Sequence, residues 1–197
     1  MASLALLAVL GYGIGSIPFS FLVARLFGVK DVRTVGSGNV GATNVMRSAG
    51  KGPGILALVL DGSKGAFTVL IARGLTSSEV EICVAGLFAV IGHLFPVWLG
   101  FRGGKGVATG AGLFIPLAPL ALAAAAMIFV IVLATSRYVS LASILASLSL
   151  PLAAYLLGGS PAVALTALAA ASMVVVKHRA NITRLLGGVE PKLGARA

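Results

Sequence analysis

Between residues 107 and 136 the chain reads VATGAGLFIPLAPLALAAAAMIFVIVLATS. This stretch is long for one membrane-spanning helix and short for two, and Pro116 and Pro119 stand near its middle. Proline removes a backbone donor and clashes with the preceding turn, so a helix divides there. Read as a short helix over 107–117 and a longer one over 119–136, it joins apolar segments at about 3–27, 53–72, 80–99, 139–157 and 161–177. The sum is an all-α integral membrane protein of seven transmembrane helices, N-terminus outside and C-terminus cytoplasmic. Of the 15 Lys and Arg residues, all but Lys64 and Arg73 then lie at or near cytoplasmic ends, from Arg25 and Lys30 to Lys192 and Arg196. A single helix over 107–136 puts the basic tail opposite the other two basic loops, against the positive-inside rule.

Composition points the same way. The chain of 197 residues is 58% hydrophobic and only 10% charged, whereas a soluble domain carries about 25% charged residues. The apolar runs are rich in Leu, Ala and Val, without the ten-residue alternation of a membrane barrel. The segment from Ala2 to Phe27 has no basic start and exceeds a signal h-region, so it is read as the first span. Cys83, the one cysteine, sits in an apolar run and is read as packing. The net charge of +10 calls for no nucleic acid, because cytoplasmic loops collect Lys and Arg for topological reasons. No repeat or linker divides residues 1–197, which read as a single transmembrane domain.

The long internal connections, 28–52, 99–107 and 177–197, are glycine-rich or basic. The first contains Gly36-Ser37-Gly38-Asn39-Val40-Gly41-Ala42-Thr43-Asn44-Val45-Met46-Arg47. Glycines let backbone N–H groups turn toward an anion, hydroxyls and amides complete its coordination, and an arginine fork fits phosphate oxygens. The match of 36–41 to G-x-G-x-x-G is weak, since no strand precedes it. The second runs from Gly92-His93-Leu94-Phe95-Pro96 to Phe101-Arg102-Gly103-Gly104-Lys105-Gly106-Val107-Ala108-Thr109, with a helix opening near Val107. Free N–H groups and the positive dipole end make such a terminus a phosphate seat. It is not a Walker A loop: Leu99 stands where glycine is required, and Gly106 follows the lysine where Ser or Thr is required. The third is Lys177-His178-Arg179-Ala180-Asn181-Ile182-Thr183-Arg184-Leu185, ending at Glu190. On a helix His178 and Asn181 share a face, while the basic residues around them suit lipid headgroups.

Lesser features follow. Asp61 and Lys64 lie inside a span, where lone charges are costly, so they are expected to face the interior and pair. His93 is open between a structural and a catalytic reading. Ser143 lies near enough to a cytoplasmic helix end to reach a site there, and Gly11 with Gly15 reads as helix packing. Two histidines outside any H-E-x-x-H pattern and five scattered carboxylates lead us to expect no metal and no cofactor.

Together the three segments resemble the bacterial acyl-phosphate-dependent glycerol-3-phosphate acyltransferases. That family's motifs look like S-G-N-x-G-A-T-N-x-x-R, G-H-x-F-P-x-x-L-x-F-[KR]-G-G-K-G-V-A-T and K-H-x-x-N-I-x-R-L-x-x-G-x-E, met here at 37–47, 92–109 and 177–190. Asp61-Gly-Ser-Lys-Gly65 also looks like the family. The resemblance covers nearly the whole chain. It implies seven transmembrane helices in the bacterial cytoplasmic membrane, with the active site on the cytoplasmic face. It further implies transfer of an acyl chain from acyl phosphate to glycerol 3-phosphate, giving lysophosphatidate and phosphate in the first acylation of phospholipid synthesis. An enzyme that supplies acyl phosphate is a possible partner, besides membrane lipid. The H-x-x-x-x-D pattern of acyl-CoA-type glycerolipid acyltransferases is absent, since Trp98 and Thr183 stand five residues after the two histidines.

By resemblance, Ser37, Arg47, Lys105, His178 and Asn181 form the catalytic set, and Asn39, Gly41, Thr43, Asn44, Gly103, Gly104, Gly106 and Ser143 contact substrate. The glycines and Lys105 of the second motif would hold glycerol 3-phosphate, and His178 with Asn181 would orient the attacking hydroxyl. Either His178 or a donor phosphate oxygen serves as base. The competing class is a transporter of a phosphorylated solute, which also uses broken helices and glycine-rich loops. Against it, the polar motifs gather on one side and no second half repeats the first.

Overall fold

The structure, a computed structural model, describes residues 2–194; Arg196, counted above among the cytoplasmic cations, lies outside them. The described residues are helical without a strand and form two compact units, one up to Pro116 and one from Leu117 onward. The first holds α1 (Ala2–Ser16), α2 (Phe19–Leu26), α3 (Ala42–Ala49), α4 (Lys51–Leu75), α5 (Glu79–Leu94) and α6 (Val107–Leu117, whose last residue begins the second unit). The second holds α7 (Pro119–Ser136), α8 (Val139–Leu156), α9 (Pro161–Lys177) and α10 (Arg179–Leu186).

Three breaks interrupt the apolar segments, each with a local cause. The segment read as one helix over 3–27 is two, because Pro18 leaves the helical region at φ −88°, ψ 63° and cannot donate to the preceding turn. The stretch 107–136 divides as expected: Ala118 is extended at φ −151°, and Pro119 opens α7 at its first turn, where its missing N–H costs nothing. At His178 the chain bends by 59° between α9 and α10. Five helical segments are long and apolar enough to cross a membrane: Leu4–Leu26, Lys51–Leu75, Glu79–Leu99, Pro119–Ser136 and Val139–Leu156. The bent pair α9–α10 makes a sixth if it is one span. With 11 residues, α6 is about 16 Å long, well short of a hydrocarbon core of about 30 Å.

In the first unit α1 packs along α5, and α4 contacts α1, α2, α3 and α5. The α1–α5 approach depends on Gly11 and Gly15: a Cβ on either would come within 2.1 Å of the carbonyl oxygen of Ala85 or Ala89. Small residues allow such backbone contact between apolar helices. In the second unit α7 packs on α8, α8 on α9, and α10 touches both α8 and α9. Polarity is inverted relative to a soluble fold. Val9, Leu120 and Leu156 are exposed, whereas Asp61, Lys64, Thr68 and Thr109 are buried. Only a solvent as apolar as the helix surface makes this arrangement favourable.

Candidate functional site

The loop before α3 is built around one buried side chain. Asn44 accepts the Ser37 N–H at 2.9 Å and donates to the carbonyls of Val32 at 2.8 Å and Val35 at 3.0 Å. Gly36 and Gly38 take φ of 57° and 67°, the left-handed region that glycine enters without strain, and so the loop turns back over Asn44. Gly41 caps α3. Ser37 is exposed, Asn39, Gly41 and Thr43 are half-buried, and Arg47 is exposed in the last turn of α3. Asn44, expected among the substrate contacts, thus directs its amide to the loop itself. Beside it, Arg33 grips Asp31 through Nε and Nη2, and these bonds hold that carboxyl at about 2.

The second loop leaves α5 through a 3-10 turn, Val97–Leu99, and re-enters helix at Val107. Gly103 N–H donates to the carbonyl of Leu94 at 3.2 Å, and Gly104 N–H to that of His93 at 3.1 Å. Neither glycine can be replaced without movement: a Cβ at Gly103 would lie 2.1 Å from the His93 carbonyl oxygen, and one at Gly104 would lie 2.2 Å from His93 Nε2. Lys105 is half-buried and Gly106 buried. Val40 of the first loop and Gly103 and Gly104 of the second line one small cavity, whose inner wall includes Ser16, Ser20, Asp61, Lys64 and His93. The first two motifs therefore meet. The interior pair expected at Asp61 and Lys64 is present at 3.0 Å, both side chains almost wholly buried.

In the second unit His178, Asn181 and Ser143 are buried. His178 Nδ1 stands 2.8 Å from the carbonyl oxygen of Val174. A carbonyl only accepts, so Nδ1 carries a proton. Asn181 Nδ2 donates to Glu190 Oε1 at 2.6 Å; Ser140 Oγ donates to the same oxygen at 2.6 Å, and Arg184 Nε to Oε2 at 2.7 Å. Burial, the largest influence on Glu190, raises its pKa, but these three donors together hold the carboxyl below its ordinary value. The hydroxyl of Ser143 donates to the carbonyl of Val139 in its own helix at 2.8 Å. Glu190 is the organising residue that the motif reading left without a role. Its signal was there: a lone acid at the end of a basic segment.

The fold and these loops define a class, an all-helical, multi-pass integral membrane protein with glycine-rich polar loops between its helices. A family model described as "Glycerol-3-phosphate acyltransferase" matches residues 5–188. A glycerol-3-phosphate acyltransferase of Synechococcus sp. (strain CC9902) is 46% identical over 197 residues, covering 100% of this chain and 98% of that protein. One of Jannaschia sp. (strain CCS1) is 50% identical over 192 residues, covering 97% and 93%. Among solved structures, PlsY, an integral membrane glycerol 3-phosphate acyltransferase, is similar in its glycerol 3-phosphate form, with 40% identity, TM-score 0.92 and coverage of 98% of this chain and 96% of that one. Its lysophosphatidic acid form has 39% identity and TM-score 0.90 at the same coverage. The chain belongs to the glycerol-3-phosphate acyltransferase family.

Proposed function

We propose that the protein transfers a fatty acyl group from acyl phosphate to the terminal hydroxyl of glycerol 3-phosphate, releasing 1-acyl-glycerol 3-phosphate and inorganic phosphate. The observation that carries this reading is full-length likeness to a glycerol 3-phosphate acyltransferase known in both a glycerol 3-phosphate and a lysophosphatidic acid form. The donor is the one that the resemblance of the motifs implies. Acyl phosphate brings its own leaving group, so the glycerol hydroxyl attacks the carbonyl carbon directly, the bond from that carbon to the phosphate oxygen breaks, and the hydroxyl proton ends on the released phosphate. No acyl-enzyme and no cofactor enters that balance.

In this reading the Gly103–Gly106 loop and Lys105 hold the phosphate of glycerol 3-phosphate. Ser37, Asn39, Gly41, Thr43 and Arg47 lie against phosphate or developing charge, with Asn44 shaping their loop from below. His178 and Asn181 orient the attacking hydroxyl, and Ser143 is among the substrate contacts. With Nδ1 of His178 bonded to the Val174 carbonyl, Nε2 is the ring nitrogen that would act as general base; a donor phosphate oxygen is the other acceptor for the proton.

Residues 1–197 act as one transmembrane acyltransferase domain, a reading supported by a family model that runs unbroken from residue 5 to 188. Counting α1–α2 as one span and α6 as a short one gives seven, with the N-terminus outside and the site on the cytoplasmic face of a bacterial inner membrane. The distribution of Lys and Arg supports that orientation.

The test is purified protein in detergent with glycerol 3-phosphate and palmitoyl phosphate, assayed for phosphate and lysophosphatidate, with palmitoyl-CoA in parallel. Both products are expected, and only with the acyl phosphate. Product from palmitoyl-CoA alone overturns the donor, and no product from folded protein overturns the enzyme.

A further inference from the structure

Both ends of the loop over 95–106 lie against a single residue of another helix. Before the loop, His93 Nδ1 faces Asp61 Oδ1 at 3.6 Å. After it, the Thr109 hydroxyl donates to the backbone carbonyl of Asp61 at 2.8 Å. The Asp61 side chain is itself held from two sides, by Lys64 Nζ at 3.0 Å and by the Ser20 hydroxyl. Lys64 also donates to the carbonyl of Ile17 at 3.0 Å, at the break that Pro18 makes between α1 and α2. The imidazole of His93 thus has Asp61 against one ring nitrogen and Gly104 against the other, with Nε2 within 2.2 Å of where a Gly104 Cβ would stand. The orientation of this ring sets the surface on which Gly104 rests. These side chains are buried, and a charged set so deep is costly to keep.

We propose that the Lys64–Asp61–His93 chain is a positioning device for the Gly103–Gly106 loop, setting its affinity for the phosphate of glycerol 3-phosphate without touching the substrate. The proposal rests on the reading above that this loop holds that phosphate. The N–H groups of Gly103 and Gly104 are bonded to Leu94 and His93, so what the loop aims is Lys105 and the opening of α6; displaced by a fraction of an ångström, these lose affinity for an anion while the reacting groups elsewhere keep their chemistry. Asp61 carries this role because it touches the chain on both sides of the loop, through its side chain to His93 and its main chain to Thr109.

The experiment is steady-state kinetics on the whole protein in detergent, varying glycerol 3-phosphate and palmitoyl phosphate separately. Wild type is compared with Lys105→Ala, His93→Gln, Gly104→Ala, the His93→Gln/Gly104→Ala pair, and Asp61→Asn/Lys64→Met, which removes both buried charges together. Lys105→Ala tests the underlying reading: an unchanged KM for glycerol 3-phosphate in this variant ends it. The positioning role predicts that His93→Gln and Asp61→Asn/Lys64→Met each raise that KM about tenfold, with kcat within about threefold and the KM for palmitoyl phosphate unchanged. His93→Gln and Gly104→Ala should be less than additive, because they disturb one contact. If Lys105→Ala raises KM while these variants do not, or if they lower kcat and leave KM alone, the proposal is overturned. Should the charge-free pair not fold, Ser20→Ala withdraws one hydrogen bond and leaves the ion pair; it is expected to raise KM about threefold, and an unchanged KM there counts against the proposal equally.

Discussion

Glu190 Oε1 receives the side-chain amide of Asn181 at 2.6 Å, so one end of the Asn181 amide is fixed by an acid nine residues further on. The same carboxylate gathers Ser140 from α8 and Arg184 from α10. The segment after the bend at His178 is therefore held by one buried charge with three donors, and charge-assisted bonds of this kind are each worth about 1.5–3 kcal/mol.

Replacing that charge should be felt in two ways. Glu190→Gln keeps an acceptor for Asn181 and Ser140 but turns an NH2 group toward Arg184, setting donor against donor. We expect about 2 kcal/mol of lost stability, read as a lower melting temperature. Glu190→Ala removes the acceptor for Asn181 as well, and there we expect kcat to fall more than KM changes, because Asn181 loses its orientation.

The pH dependence of this cluster has a definite sign. The folded carboxyl of Glu190 lies below its ordinary value, so its contribution is fully present above the unfolded pKa and is lost as pH falls through the folded one. The stability gap between wild type and Glu190→Gln should stay constant above about pH 5 and shrink on acidification below about pH 4.5. Melting curves of the two proteins across that range check it; a gap that grows toward acid would contradict the geometry.

Asn44 separates loop shaping from substrate contact. Its amide accepts one N–H and donates to two carbonyls. Asn44→Asp keeps the acceptor and aims a buried carboxylate at the carbonyls of Val32 and Val35, so it should destabilise more than Asn44→Ala. The alanine variant should lose about 1–3 kcal/mol from unsatisfied backbone groups. Thermal melts rank the pair, and equal effects would mean that the loop does not lean on this amide.

His178→Ala is expected to lower kcat by about 10²-fold or more. Added imidazole distinguishes the two candidate proton acceptors. Restored turnover marks the ring as base, and unrestored turnover leaves it an orienting role, with the donor phosphate taking the proton. Near-normal turnover in the variant itself would remove His178 from the chemistry.

Helices and loops were legible along the chain because their causes are local. Hydropathy marked the apolar segments, prolines divided 107–136 where α6 ends and α7 begins, and clustered glycines with Arg and Lys marked the polar loops. The pairing of Asp61 with Lys64 was legible too, since the two lie three residues apart on one helix. The break at Pro18 was missed because a run that apolar reads as continuous, and Glu190 because an acid in a basic tail has an obvious partner nearby in Arg184.

The sequence by itself thus determined an integral membrane helical protein with three polar motifs, since burial preference, helix breaking and charge cost act residue by residue. Only the tertiary structure decided what each motif residue touches. Asp61 meets Thr109 across 48 positions, and Ser140 meets Glu190 across 50. Such partners are chosen by which helix faces pack together, and no periodicity along the chain records that choice.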